Sequence, residues 1–126
     1  MRIATRFHLV HELVAVESTI FGPSGRRNAT LIVDTAAVMT TVTPQIAESV
    51  GYSAALRKEW SVIRSAVAEE RGYTVSMLVD SVGFTMQHDV MVAELGYGIE
   101  GLLGMNFLRN FNVEFRFLER QIIVED

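Results

Sequence analysis

The sequence predicts a mostly β protein whose short strands form a closed antiparallel barrel with two short helices. Many short segments are rich in Val, Ile, Thr and aromatic residues, which favour strands. The stretch Gly22-Pro23-Ser24-Gly25 is a strong turn signal between two such segments. The two helical segments are too few and too short to cross between parallel strands. A barrel is expected because closure hides the edges of the strands.

The composition indicates one domain spanning residues 1–126. Apolar residues make up 49% and charged residues 21%, as in a globular protein with a single core. The formal net charge of -4 argues against a nucleic-acid partner, which would require clustered Lys and Arg. There are no cysteines, so neither a disulfide nor a Cys-based metal site can form.

The sequence carries no signal for a membrane. No run of eighteen apolar residues occurs, and a membrane partner is therefore not expected. The N-terminus mixes Arg2, Arg6, His8 and Glu12 with apolar residues, unlike the core of a signal peptide. A cytoplasmic location is the default expectation, although a signal peptide that had already been removed would leave no trace.

The first half of the chain is expected to be a hairpin followed by a helix. Residues 1–12 are compatible with an edge strand. Leu13–Phe21 and Asn28–Val33 are predicted strands that flank the turn. A β-prone segment, Met39–Val42, leads into a helix at Thr43–Gly51, where Thr can cap the first turn and Pro44 follows it.

The second half is predicted to contain a long hairpin, further strands and an apolar helix. Residues 60–82 form the hairpin, because alternation of apolar and polar residues follows a charged tip at Ala68–Gly72. The remaining predicted elements are a strand at Thr85–Leu95, a helix at Glu100–Asn110, and strands at Asn112–Phe117 and Ile122–Val124.

Asp34 stands out because it ends an apolar strand, in Leu31-Ile32-Val33-Asp34-Thr35-Ala36-Ala37. A carboxylate in such company is costly unless it is hydrogen-bonded or has a chemical task. One interpretation is an Asp that simply ends the strand and nucleates a turn. The other is a catalytic carboxylate, and a second stretch favours it.

That second stretch is Leu102-Leu103-Gly104-Met105-Asn106-Phe107-Leu108. Together with the Asp34 stretch it resembles the retropepsin-like aspartic proteases. That family carries an apolar strand into Asp-Thr-Gly-Ala, and later two apolar residues followed by Gly at the start of a short helix. The helix at Thr43–Gly51 and the hairpin at residues 60–82 also follow the family order. The resemblance covers roughly residues 13–124.

The resemblance implies an aspartic endopeptidase that hydrolyses peptide bonds without a cofactor. One copy of the motif supplies one carboxylate, so a homodimer would bring together Asp34 from two subunits. The charged carboxylate would take a proton from water, which attacks the peptide carbonyl, while the protonated one polarises that carbonyl. Thr35 would connect the two loops across the dimer axis, and the backbone N–H of Ala36 would approach the carboxylate.

The resemblance also implies a flap that closes over a peptide or protein substrate. Its residues would be those of the charged hairpin tip: Ala68, Glu69, Glu70, Arg71 and Gly72. From the residues alone, a solvated charged turn is an equally good interpretation of this segment.

Ala36 is a departure from the family, which has Gly at that position. Ala keeps the N–H but adds a Cβ, which is strained if the backbone has positive φ and costs little if φ is negative. An alternative function therefore remains: a catalytically silent barrel used for binding or dimerisation. The retained Asp34-Thr35 pair favours the enzyme.

Other site hypotheses have weaker support. Gly96-Tyr97-Gly98-Ile99-Glu100-Gly101 matches a dinucleotide-binding fingerprint, but no βαβ pattern surrounds it, so chance is the better explanation. His8, His11 and His88 are better explained as isolated histidines than as metal ligands, and no metal is expected.

Overall fold

The structure is a computed structural model that describes residues 1–53, 61–64 and 69–126. Side chains are described for residues 1–53 and 72–126. The described residues are mostly β, with two short helices. In chain order the elements are β1 (Arg2–Arg6), β2 (His8–Val10), β3 (Leu13–Gly22), β4 (Gly25–Val33), β5 (Thr40–Val42), α1 (Pro44–Ser49), β6 (Ser61–Arg64), β7 (Glu69–Ser81), β8 (Phe84–Val92), β9 (Gly101–Leu103), α2 (Met105–Leu108), β10 (Asn112–Arg116) and β11 (Gln121–Glu125).

Strand pairing in the larger sheet follows a closed ring. From β3 the ring passes through β4, β9, β5, β8 and β7. It then returns to β3 through three residue pairs centred on Ile20 and Val79. This closure accounts for the burial of large apolar side chains inside the ring. Among them are Ile20, Leu31, Val42, Met77, Val79 and Leu103.

Two pairings of the ring are parallel, which the sequence did not predict. Strand β4 runs parallel to β9, and β5 runs parallel to β8, while the other ring pairings are antiparallel. The expectation of purely antiparallel pairing rested on the lack of crossover helices. Other strands of the ring connect these parallel neighbours, so no crossover helix is needed.

The hairpin that delivers Asp34 forms as predicted. Gly22 pairs with Gly25, and the turn between them contains Pro23 and Ser24. The Ser24 N–H donates to the carbonyl of Val50 over 2.9 Å, which holds the turn against the end of α1.

Helix α1 also begins and ends where its residues predict. The Thr43 hydroxyl accepts the N–H of Ile46, and Pro44 occupies the first helical position. Gly51 follows the helix with φ of 100°, a conformation that favours glycine. The helix buries Ile46 and Ala47 against the core.

The chain termini form a separate three-stranded sheet in the order β1, β11, β10. Arg2 pairs with Glu125, and Asn112 pairs with the same residue from the other side. The N-terminal segment is therefore a strand, in two pieces, because β2 pairs instead with β3.

The helix predicted over Glu100–Asn110 is shorter in the structure. Gly101–Leu103 is strand β9, and the helical part is limited to Met105–Leu108. The apolar residues of this stretch suggested one continuous helix. Gly101 instead fits between strands, where a Cβ would lie 2.5 Å from the Leu31 side chain and 2.7 Å from the carbonyl oxygen of Thr41.

No helix within the described part of the chain is long and apolar enough to cross a membrane.

Candidate active site

Asp34 lies where strand β4 leaves the barrel. Its N–H donates to the carbonyl of Leu103 over 3.1 Å, which extends the β4–β9 pairing by one bond. Its carbonyl accepts the N–H of Ala37 over 3.2 Å, which closes a tight turn. The Asp34 side chain is half-buried, whereas Thr35 and Ala36 are exposed. The sequence therefore places this carboxylate at the surface of a rigid strand end.

The carboxylate of Asp34 is oriented by its own turn. The backbone N–H of Ala36 donates to Asp34 Oδ1 over 2.9 Å. The φ angle of Ala36 is not positive, so its Cβ causes no backbone strain. Ala36 thus donates its N–H to Asp34 from a backbone conformation that any residue can adopt.

The residues that follow Asp34 are bonded to the segment around α2. The carbonyls of Ala37 and Val38 accept the N–H groups of Met105 and Asn106, over 2.8 and 3.0 Å. The Asn106 side chain accepts the N–H of Thr40 over 2.9 Å. We call residues 34–40 the Asp34 loop. Its hydrogen bonds run along most of its length, which favours a fixed position for the carboxylate.

Thr40, the last residue of this loop, is fully buried and connects the loop to strand β8. Its hydroxyl accepts the N–H of Gly104 over 3.1 Å and lies 2.9 Å from His88 Nε2. His88 Nδ1 lies 3.2 Å from the carbonyl of Met86. Burial lowers the pKa of His88, opposed by the bond to Met86 and by the nearby Asp89 carboxylate.

A cavity of about 300 Å³ opens beside strand β4. Ile32, two residues before Asp34, lines it together with Thr30. The other lining residues are His8, Val10, Gly98, Ile99 and Glu100. The cavity is therefore partly apolar, with a histidine and a carboxylate among its walls.

Glu100 fixes the wall of this cavity. Its Oε1 accepts the N–H of Thr30 over 2.9 Å, just before the β4–β9 pairing begins at Leu31 and Gly101. Its Oε2 lies 3.5 Å from a guanidinium nitrogen of Arg27. The segment that suggested a dinucleotide fingerprint is thus a loop that leads into a three-residue strand and a four-residue helix. That arrangement differs from a dinucleotide-binding βαβ unit.

The predicted flap residues fall largely on the arms of a hairpin. Strand β6 pairs with the start of β7, so that Glu69 lies opposite Arg64 and Gly72 opposite Ser61. The sequence suggested that Glu69–Gly72 belong to the tip, whereas in the structure they lie in strand β7. Residues 65–68, among them Ala68, lie outside the part of the chain that the structure describes. The charged residues suggested a turn, but strands can carry charged residues as well as turns can.

The three histidines have separate surroundings. His8 lies 3.8 Å from Glu17, and His11 lies 3.1 Å from the carbonyl of Tyr97. His88 faces Thr40. Among the side chains that the structure describes, no group of three or more His, Asp or Glu residues could hold a metal ion.

Comparison with known proteins identifies the family of the chain. Residues 24–110 match the family described as gag-polyprotein putative aspartyl protease. The match includes the whole Asp34 loop and α2. The chain belongs to this aspartyl protease family.

Solved structures of aspartyl proteases have the same fold. A retropepsin-like aspartic protease from Rickettsia conorii aligns with a TM-score of 0.66 and 18% identity, covering 98% of this chain and 90% of that one. The EIAV protease in complex with the inhibitor HBY-793 aligns with a TM-score of 0.60 and 13% identity, covering 82% of this chain and 91% of that one. No curated protein matches the sequence. The fold of this aspartyl protease family member is therefore retropepsin-like, as the sequence predicted.

Several residues around the site were not identified from the sequence. Thr40 and Asn106 hold the loop, and Glu100 holds the cavity wall, through side-chain hydrogen bonds. Asn106 stands within the second motif, which was the one available signal. His88 was considered only as a metal ligand or an isolated residue, because a side-chain bond across 48 positions has no local pattern.

Proposed function

We propose that this chain is an aspartic endopeptidase whose catalytic dyad consists of Asp34 from two copies of the chain. The observation that carries the proposal is the hydrogen bond from the Ala36 N–H to Asp34 Oδ1 at a half-buried strand end. It orients one carboxylate toward the surface on a loop that is bonded to α2. Membership of the aspartyl protease family supports the reaction class.

The dimer follows from the chemistry, since one carboxylate cannot serve as both base and acid in the same step. A twofold axis beside Asp34 would bring two carboxylates together, and their mutual repulsion would keep one protonated. The surface beside Asp34 supports this arrangement, because Thr35 and Ala36 are exposed and Val38 is 78% exposed. Thr35 would then bond across the axis.

The reaction proceeds with water as the nucleophile. The ionised Asp34 takes a proton from a water molecule, whose oxygen attacks the carbonyl carbon of the scissile peptide. The protonated Asp34 of the second subunit donates to the carbonyl oxygen. The first Asp34 then passes the proton that it took from water to the peptide nitrogen, and the C–N bond of the tetrahedral intermediate breaks. A hydroxyl of the intermediate returns a proton to the second Asp34, which leaves a carboxylic acid and an amine.

The cavity beside β4 provides a place for a substrate side chain. Ile32 is two residues from Asp34, so a side chain in the cavity would lie roughly 7 Å along the strand from the reacting carbonyl. Val10, Ile32 and Ile99 would contact an apolar side chain. The hairpin of β6 and β7 would supply the flap, with Glu69, Glu70, Arg71 and Gly72 on its β7 arm. Ala68 remains a proposed flap residue that lies outside the described residues.

The test is cleavage of a mixed peptide library by the wild type and by Asp34→Asn, from acidic to neutral pH. We expect the wild type to cleave and the variant to lose at least about 1,000-fold in kcat/KM, since Asn cannot act as a base. Asp80→Asn, on strand β7, is a matched control that removes one carboxylate elsewhere. Equal cleavage by wild type and Asp34→Asn would overturn the proposal. A folded dimer without activity would instead favour the silent binding module.

A further inference from the structure

We propose that neutral His88 is a positioning residue that holds the Asp34 loop through Thr40, and that protonation of His88 loosens this loop. The inference rests on the proposed function for its catalytic consequence, but its structural part can be tested without any activity.

The hydrogen bonds around His88 define which ring nitrogen carries the proton. A carbonyl can only accept, so the bond between Nδ1 and the Met86 carbonyl requires a proton on Nδ1. In a neutral imidazole Nε2 is then an acceptor. The Thr40 hydroxyl, 2.9 Å away, must therefore donate to Nε2 while it accepts the N–H of Gly104.

This arrangement forms a directed chain of donors. The Gly104 N–H donates to Thr40 Oγ1, the Thr40 O–H donates to His88 Nε2, and His88 Nδ1–H donates to Met86. All the polar groups in this series of hydrogen bonds have partners only when His88 is neutral. Thr40 is fully buried, so water does not offer an easy substitute.

Protonation of His88 disrupts this series of hydrogen bonds. Both ring nitrogens then carry hydrogen, so Nε2 and the Thr40 hydroxyl present two hydrogens to each other. Thr40 must rotate its hydroxyl away, and a buried O–H loses its acceptor. Thr40 also contacts Gly104 and is the last residue of the Asp34 loop. Loss of the Thr40–His88 hydrogen bond therefore acts on the loop directly.

The surroundings of His88 oppose its protonation. Met77 on β7, Thr40 on β5 and Phe107 on α2 face the ring, and none of them is charged. The Phe107 ring lies edge-on at 5.4 Å. Among the described side chains, Asp89 on the same strand is the charged group whose field acts on His88.

The sign of the pH effect follows from this environment. Burial places the pKa of His88 in the folded protein below its ordinary value near 6.5. The stabilising contribution is therefore complete above about pH 6.5, the ordinary value, and is lost as the pH falls toward the folded pKa. Loosening of the loop is expected on the acidic side of neutrality.

The first test measures the loop itself. In an NMR titration, we expect the amide signals of Gly104 and Thr40 to shift together with the His88 ring signals.

Melting temperatures at about pH 7.5 and about pH 5 are compared for the wild type and His88→Gln, which has a donor and an acceptor but no titrating charge. We expect the wild type to lose roughly 4 °C more than the variant on acidification. His8→Gln, at an exposed histidine, should behave as the wild type.

The second test measures catalysis. We expect the wild-type kcat to fall as His88 is protonated, at least about 5-fold beyond the fall seen in His88→Gln, with KM unchanged within about 2-fold. Thr40→Val should lower kcat about 10-fold where His88 is neutral and by less where His88 is protonated, and Thr40→Ser should restore it, because Ser keeps the hydroxyl.

The outcomes separate the two proposals. If the wild type cleaves no peptide, the proposed function fails, while the amide titration still decides whether His88 controls the loop. If the Gly104 and Thr40 amides do not follow the His88 titration, or if His88→Gln keeps the wild-type pH profile, the role of His88 is overturned.

Discussion

Gly104 packs directly against the backbone of Met39. A Cβ at position 104 would lie 2.3 Å from the carbonyl carbon of Met39 and 2.5 Å from the nitrogen of Thr40. These neighbours are main-chain atoms of the Asp34 loop, which cannot turn aside as a side chain can. The closeness of the two segments is what allows the Gly104 N–H to reach Thr40 Oγ1.

We expect Gly104→Ala to destabilise the protein by about 3 kcal/mol, as overpacking against fixed backbone does. Displacement of the Asp34 loop should also lower kcat. Chemical denaturation measures the first effect. Gly96→Ala is the matched control, because a Cβ at that glycine would have no neighbour within 4 Å. Equal stability of the two variants would contradict this packing.

We expect Ala36→Gly to keep kcat/KM within about 3-fold of the wild type, because Ala36 already donates its N–H to Asp34 without positive φ. Because Gly gives the unfolded chain more conformational freedom, the free energy of unfolding should fall by about 0.5–1 kcal/mol. Steady-state kinetics and thermal unfolding measure the two effects, with Ala37→Gly as the control for added flexibility. A gain of more than about 10-fold in activity would show that Ala36 impairs catalysis.

We expect Val38→Glu to weaken the proposed dimer at least about 10-fold, because two like charges would approach each other near the axis. Val38 is 78% exposed beside Asp34, so the change should leave the monomer folded. Sedimentation equilibrium over a range of concentrations gives the dissociation constant. Pro23→Glu adds the same charge at an exposed turn and should have no effect. A wild type that stays monomeric at high concentration would refute the dimer.

We expect Glu100→Ala to destabilise the protein by about 1 kcal/mol, because the N–H of Thr30 loses its acceptor at a half-buried position. Glu100→Gln keeps an acceptor oxygen and should cost less. The ion pair with Arg27 adds little, since both side chains are more than a third exposed. Urea denaturation of both variants, with Glu119→Ala as a surface control, measures the difference. Equal losses for Gln and Ala would point to the charge instead of the hydrogen bond.

Local patterns in the sequence were sufficient for most of the fold. The turn at Pro23 and Ser24, the cap at Thr43 and the strand into Asp34 each depend on neighbouring residues, so the chain reveals them directly. The two motifs also identified the family. The position of Asp34 at a strand end was predicted for the same reason.

Features that depend on distant residues could not be predicted. Strand β9 is three residues long and is defined by its parallel partner β4, so its apolar residues suggested a helix instead. The role of His88 depends on Thr40 in a parallel neighbouring strand. The turn of the β6–β7 hairpin was placed by charge, and charge does not distinguish a strand from a turn.

The order of pairing limits when this molecule can fold during its synthesis. The ring closes only when β9, ending at Leu103, reaches β4 and β5. The terminal sheet needs Glu125, which pairs with Arg2. Contacts between residues so far apart in the chain form slowly. A ribosome must therefore release the residues through Asn106 before the Asp34 loop gains its supports, and a shorter chain would lack the hydrogen bonds that hold Asp34 in place.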